Sequence, residues 1–82
     1  MAELIQTYAE TVRDLDGEEY TVHAYGEERE DGNWEGWLEF HPSLGAVVRT
    51  NRETTQPNRE ALAYWASGLE PVYLDGAFAR AS

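Results

Sequence analysis

No cysteine and no lysine occur among the 82 residues. The first absence excludes a disulfide framework and a thiolate metal site. The second removes the phosphate-gripping lysine of a Gly-rich nucleotide loop. All positive charge therefore falls to six arginines: Arg13, Arg29, Arg49, Arg52, Arg59 and Arg80. Sixteen acids, twelve of them Glu, bring the formal net charge to −10. Such a field repels nucleic-acid phosphates and anionic lipid. It is expected of a solvated surface in a high-salt proteome, or of one that meets a basic partner. No run approaches the ~20 apolar residues of a membrane-spanning helix, and the N-terminus lacks the basic and apolar regions of a signal peptide. The length suits one domain, residues 1–82. No catalytic signature and no cofactor motif stands out, so the expectation is a protein that is not an enzyme and carries no cofactor. The apolar fraction of 41%, with ten aromatics, is that of a folded chain rather than an acidic disordered one.

Residues 18–50 carry the period of two that marks strands. Tyr20, Val22 and Ala24 alternate with Thr21, His23 and Tyr25. Trp34, Gly36, Leu38 and Phe40 alternate with Glu35, Trp37, Glu39 and His41. The loop between them decides which faces coincide. A two-residue Asp31-Gly32 turn would set Val22 on the face of Glu39. A three-residue loop ending in a left-handed Gly32 sets Val22 against Phe40 and Ala24 against Leu38. Only the second builds an apolar face. The same loop over Leu15-Asp16-Gly17 places Val12 beside Tyr20, Tyr8 beside Ala24 and Arg13 beside Glu19. Over Ser43-Leu44-Gly45 it places Phe40 beside Val48 and Glu39 beside Arg49. Leu4, Tyr8, Val12 and Leu15 also fit a helical stripe, so residues 4–15 read as strand or helix. Thr7, Thr11 and Val12, with the Asp-Gly loop that wants a partner, favour strand.

Beyond residue 50 the period changes. Leu62, Trp65, Ala66 and Leu69 form a helical stripe. Thr55 or Gln56 is expected to cap this helix, with Pro57 in its first turn and Gly68 at its end. Pro71 then blocks continuation, and Val72-Tyr73-Leu74 reads as a short strand. The expected fold is α+β: an antiparallel four-stranded meander covered on one face by a single helix, with a short C-terminal strand. Val22, Leu38, Phe40, Val48, Leu62 and Trp65 are its expected core.

The segments Trp34-Glu35-Gly36-Trp37-Leu38-Glu39-Phe40 and Glu53-Thr54-Thr55-Gln56-Pro57, with Ala63-Tyr64-Trp65-Ala66 and Leu69–Leu74, resemble a family of short uncharacterised bacterial proteins. The resemblance covers roughly residues 7–81 and implies a cytoplasmic bacterial protein; it implies no activity. The expected order of three strands, a helix and a strand is also similar to the HicB antitoxin domain, in which a polar Gly-Asp-Thr segment leads into the helix. Here Arg52-Glu53-Thr54-Thr55 stands in that place without the Gly. The DNA-binding tail of those antitoxins has no counterpart in these residues, so the analogy extends to toxin blocking alone.

Two constellations follow from the expected pairing. On the face away from the helix, His23, Glu39 and Arg49 share one row, Tyr25 and Trp37 the next, and Thr21, His41 and Val47 another. A carboxylate between an imidazole and a guanidinium can orient a base or bind a polar ligand. Exposed Tyr25 and Trp37 point to a protein contact surface, with the tail near Phe78 able to fold over them. Residues His23, Tyr25, Trp37, Glu39, His41 and Arg49 are thus candidate partner contacts. The second constellation is Arg49, Arg52 and Arg59 with Thr54 and Thr55, three arginines against Glu53 alone at a helix start. Arg59 there opposes the helix dipole, and a bound anion would relieve it. His23 and His41, offset across two strands, do not suggest a metal site. The expected function is a small interaction module acting through a protein partner or self-association, with no nucleic-acid or membrane partner. The alternative is a small-anion binding protein at the Arg-lined helix start.

Overall fold

A computed structural model describes all of residues 1–82. The alternating segments form strands β1 (Glu3–Arg13), β2 (Glu19–Glu28) and β3 (Trp34–Pro42), followed by the short β4 (Val48–Arg49) and β5 (Thr54–Gln56). Two helices close the chain, α1 (Arg59–Ser67) and α2 (Pro71–Arg80). The sheet is antiparallel in the order β1-β2-β3-β4, and β5 pairs with the other half of the same β3 edge. Between β4 and β5 the edge is closed by Thr50. Its N–H donates to the Leu38 carbonyl, and its hydroxyl accepts from Leu38 N–H.

The loop chemistry behaves as expected. Gly17, Gly32 and Gly45 all have positive φ, the left-handed region that side chains disfavour. Arg29 N–H bonds the Asn33 carbonyl, so the connection is the three-residue loop Glu30-Asp31-Gly32. Val22 accordingly meets Phe40, and Ala24 meets Leu38. Val12–Tyr20, Arg13–Glu19, Phe40–Val48 and Glu39–Arg49 also pair as read.

Residues 4–13 are strand, but β1 is irregular. Its pairing slips between Leu4 and Gln6 and again between Thr7 and Thr11, so Gln6 rather than Tyr8 stands beside Ala24. The slips let Tyr8 swing over the core, where its hydroxyl donates to the Ala66 carbonyl of α1 at 2.6 Å.

Helix α1 starts later than expected. Asn58, not Thr55 or Gln56, is the N-cap, its side chain accepting from Ala61 N–H. Thr54–Gln56 is instead drawn into the sheet by the free edge of Trp34–Gly36. The helix settles on a pair of opposed glycines, Gly26 and Gly36. A Cβ on Gly26 would collide with the Leu62 side chain, and one on Gly36 would lie 2.6 Å from Leu62 Cδ1. Those bare positions admit a fully buried leucine at the sheet.

The expected C-terminal strand at Val72–Leu74 is helix. Pro71 does not block a helix here; it opens α2 at the first-turn position, where a missing N–H costs nothing. Leu74, Ala77, Phe78 and Ala81 continue the helical stripe, and Leu74 and Ala77 are buried. Two helices therefore cover the sheet, not one. Phe78 packs on Tyr20 and Phe40, ring centroids 4.9 and 5.0 Å away, on the covered face rather than over Tyr25 and Trp37. Glu53 pins α2 to the sheet edge, accepting from Tyr73 Oη and Arg80 Nη2, both at 2.5 Å. Val22, Leu38, Phe40 and Leu62 are core as expected, with Val48 and Trp65 half-buried at its margin.

Candidate functional site

The helices leave one sheet face uncovered, and the period of two selects what stands there. From β2 come Glu19, Thr21, His23, Tyr25 and Glu27; from β3, Glu35, Trp37, Glu39 and His41. Their pairing is that expected from sequence: His23 beside Glu39, Glu39 beside Arg49, Tyr25 beside Trp37, and Thr21 beside His41. All six candidate contact residues, His23, Tyr25, Trp37, Glu39, His41 and Arg49, thus come together. Val47 lies just before β4 and is exposed.

Glu39 organises this cluster. One carboxylate oxygen accepts from Trp37 Nε1 at 3.0 Å, and the other lies 3.1 Å from His41 Nε2. An ionised carboxylate only accepts, so His41 carries its proton on Nε2. The His41 ring meets His23 edge-on, centroids 4.6 Å apart, and lies nearly parallel to Tyr25 at 6.5 Å. Tyr25 in turn stacks beside Trp37 at 6.4 Å. Arg49 extends over the Trp37 ring, its guanidinium carbon 4.4 Å from the centroid, a cation–π contact.

Trp37 is the correction here. It is only 4% exposed, not a free aromatic. Arg49 covers its face and Glu39 takes its N–H, so much of its surface is already spent inside the molecule. The accessible part of the cluster is Tyr25, the two imidazoles and Arg49, extended by Thr7 and Leu4, which pair with His23 and Tyr25. Sequence reading missed Thr7 and Leu4, because the slips in β1 decide which of its residues reach this row. The Thr7 and Thr21 hydroxyls stand 3.4 Å from the two ring nitrogens of His23. Partial burial holds the His23 imidazole below its ordinary range, and the nearby His41 adds to this. Glu39 opposes both. The ring is therefore neutral near neutral pH.

The Arg-lined helix start does not assemble as one site. Arg59 is held by Glu3 at 3.0 Å, and Asn58 occupies the cap. Thr54 and Thr55 lie in β5, and Arg49 lies on the uncovered sheet face. Of the six arginines, Arg49 and Arg52 have no carboxylate at ion-pair distance.

No three His, Asp or Glu side chains stand close enough to share a metal ion. The surface has no concave pocket, and no helix is long and apolar enough to cross a membrane. The uncovered face offers aromatic edges, one imidazole with both nitrogens near hydroxyls, and a guanidinium free of carboxylates. No protein-family model, curated protein or solved structure matches the chain.

Proposed function

We propose that the chain is a protein-interaction module whose contact surface is the uncovered sheet face around Tyr25, His23, His41 and Arg49. The carrying observation is the pre-organised cluster itself. Tyr25, two imidazoles and an arginine without a carboxylate partner are grouped around Glu39 and Trp37 on the uncovered face. Tyr, Trp and Arg supply most of the binding energy at protein interfaces because they bury large area at low entropic cost. Small ligands instead favour concave sites, which this surface lacks.

Site-directed photo-crosslinking in living cells tests this reading. A benzophenone side chain in place of Tyr25 should yield protein adducts on illumination. The same group in place of Tyr64, exposed at 82% on α1, should yield few. Adducts from the Tyr64 position with none from Tyr25 would move the contact surface to the helices and overturn the reading.

A further inference from the structure

The distribution of charge identifies what can cover that face. Four of the sixteen acids lie on it, Glu19, Glu27, Glu35 and Glu39. Each has a partner there: Arg13 for Glu19, the Met1 amine for Glu27, Arg29 for Glu35, and Trp37 with His41 for Glu39. Arg49 adds a cation without a carboxylate. The face is close to electroneutral, and the helices are balanced, Glu60 and Asp75 against Arg59 and Arg80; most of the −10 lies in the loops, with Asp14, Asp16, Glu18, Glu30, Asp31 and Glu70, and on Glu3 and Glu10 of β1. A strongly basic protein would be drawn to those acidic regions and away from this face, and a nucleic acid would be repelled by the whole. A neutral aromatic face is complementary to another of the same kind.

Geometry agrees. Strands of nine and ten residues at ~3.3 Å each, in four rows ~4.8 Å apart, make a surface of about 30 by 20 Å. Two such surfaces bury on the order of 1,200 Å² in total, the lower bound for a specific interface. Packing sheet on sheet also leaves the helices on the far sides of the pair, clear of the junction.

We propose that the occupant of the uncovered face is a second copy of this chain, the two sheets packing face to face about a two-fold axis. This rests on the contact reading above. It also makes assembly pH-dependent. Tyr25 and Thr21 of β2 and Glu39 and His41 of β3 surround His23, β1 faces it with Thr7, and Arg49 lies one strand further, beyond Glu39. Protonating His23 adds a second cation beside Arg49 to a face whose charge was balanced, in each copy. The two layers then repel, and the pair separates as pH falls below about 6.5.

Sedimentation equilibrium of the full chain is the test. Near pH 7.5 a dimer should form over about 5 to 500 µM, with its dissociation constant at least about tenfold weaker near pH 5.5. Thr21→Arg, an exposed position beside His41, should give a monomer. Tyr64→Arg on α1 should leave the dimer intact. Melting of Thr21→Arg is compared with the parent at a dilution where both are monomeric, and Thr7→Arg replaces it if it melts early. A monomer at every concentration, a dimer indifferent to Thr21→Arg or Thr7→Arg, or one as tight at the lower pH would overturn the proposal. A monomer whose Tyr25 adducts in cells carry foreign masses would remove the second copy alone. Absence of outer-face adducts would remove the contact reading as well.

Discussion

Tyr8 shows how one side chain ties the two layers. Its ring is buried and its hydroxyl donates to Ala66 O inside the core. Burial, with Tyr73 adding, pushes the phenol up to about 12. Burial and the Glu53 carboxylate do the same for Tyr73, against Arg80. Each phenol ionises more easily in the unfolded chain, near 10. Stability is therefore full below pH 10 and is lost as pH rises from 10 towards 12. Tyr8→Phe should cost about 0.5–1.5 kcal/mol at neutral pH, because it removes a short buried hydrogen bond to a carbonyl that keeps only the longer bonds from Gly68 and Leu69 N–H. Together with Tyr73→Phe it should flatten the alkaline decline. Denaturant melts across that range measure both effects, and a decline equally steep in the double variant would place its origin elsewhere. Sequence placed Tyr8 on the covered face but not beside its true neighbour. The slip between Thr7 and Thr11 accompanies a bond from the Tyr8 hydroxyl to the Ala66 carbonyl of α1, a tertiary contact that local period cannot register.

At the scale of elements, what a strand or loop decides locally was legible. The three glycine loops, the pairing of β2 with β3 and the row His23–Glu39–Arg49 follow from period and turn chemistry. Elements chosen by competition were not. Thr54–Gln56 looks like a helix cap until the free edge of β3 claims it. Val72–Leu74 looks like a strand until Pro71 is seen as a helix start, after which Leu74, Ala77 and Phe78 share one face. Burial of Trp37 likewise depends on Arg49 from another strand. Two substitutions examine the seating of α1. Asn58→Ala removes the cap and should cost ~1 kcal/mol. Gly36→Ala pushes a methyl into Leu62 and should cost about 1–3 kcal/mol through overpacking. Thermal melts read both. A stabilised Gly36→Ala would mean that α1 can lift from the sheet without loss.

The whole molecule is two layers used unequally. One sheet face is filled by Leu62, Ala66, Leu74, Ala77 and Phe78 from the helices. The other carries the linked cluster of Glu39, Trp37 and Arg49, and its charge is balanced locally in a chain of −10. Most of the acids are thereby kept away from the one surface that can pack. The direct measurement is hydroxyl-radical footprinting of the chain in its native cell extract against the purified chain diluted until dissociated. Tyr25, His23 and His41 should be protected in the extract, while Tyr64 and Val72 on the helices react equally in both. Equal reactivity of Tyr25 and the two histidines, with protection at Tyr64, would contradict a contact surface on the sheet.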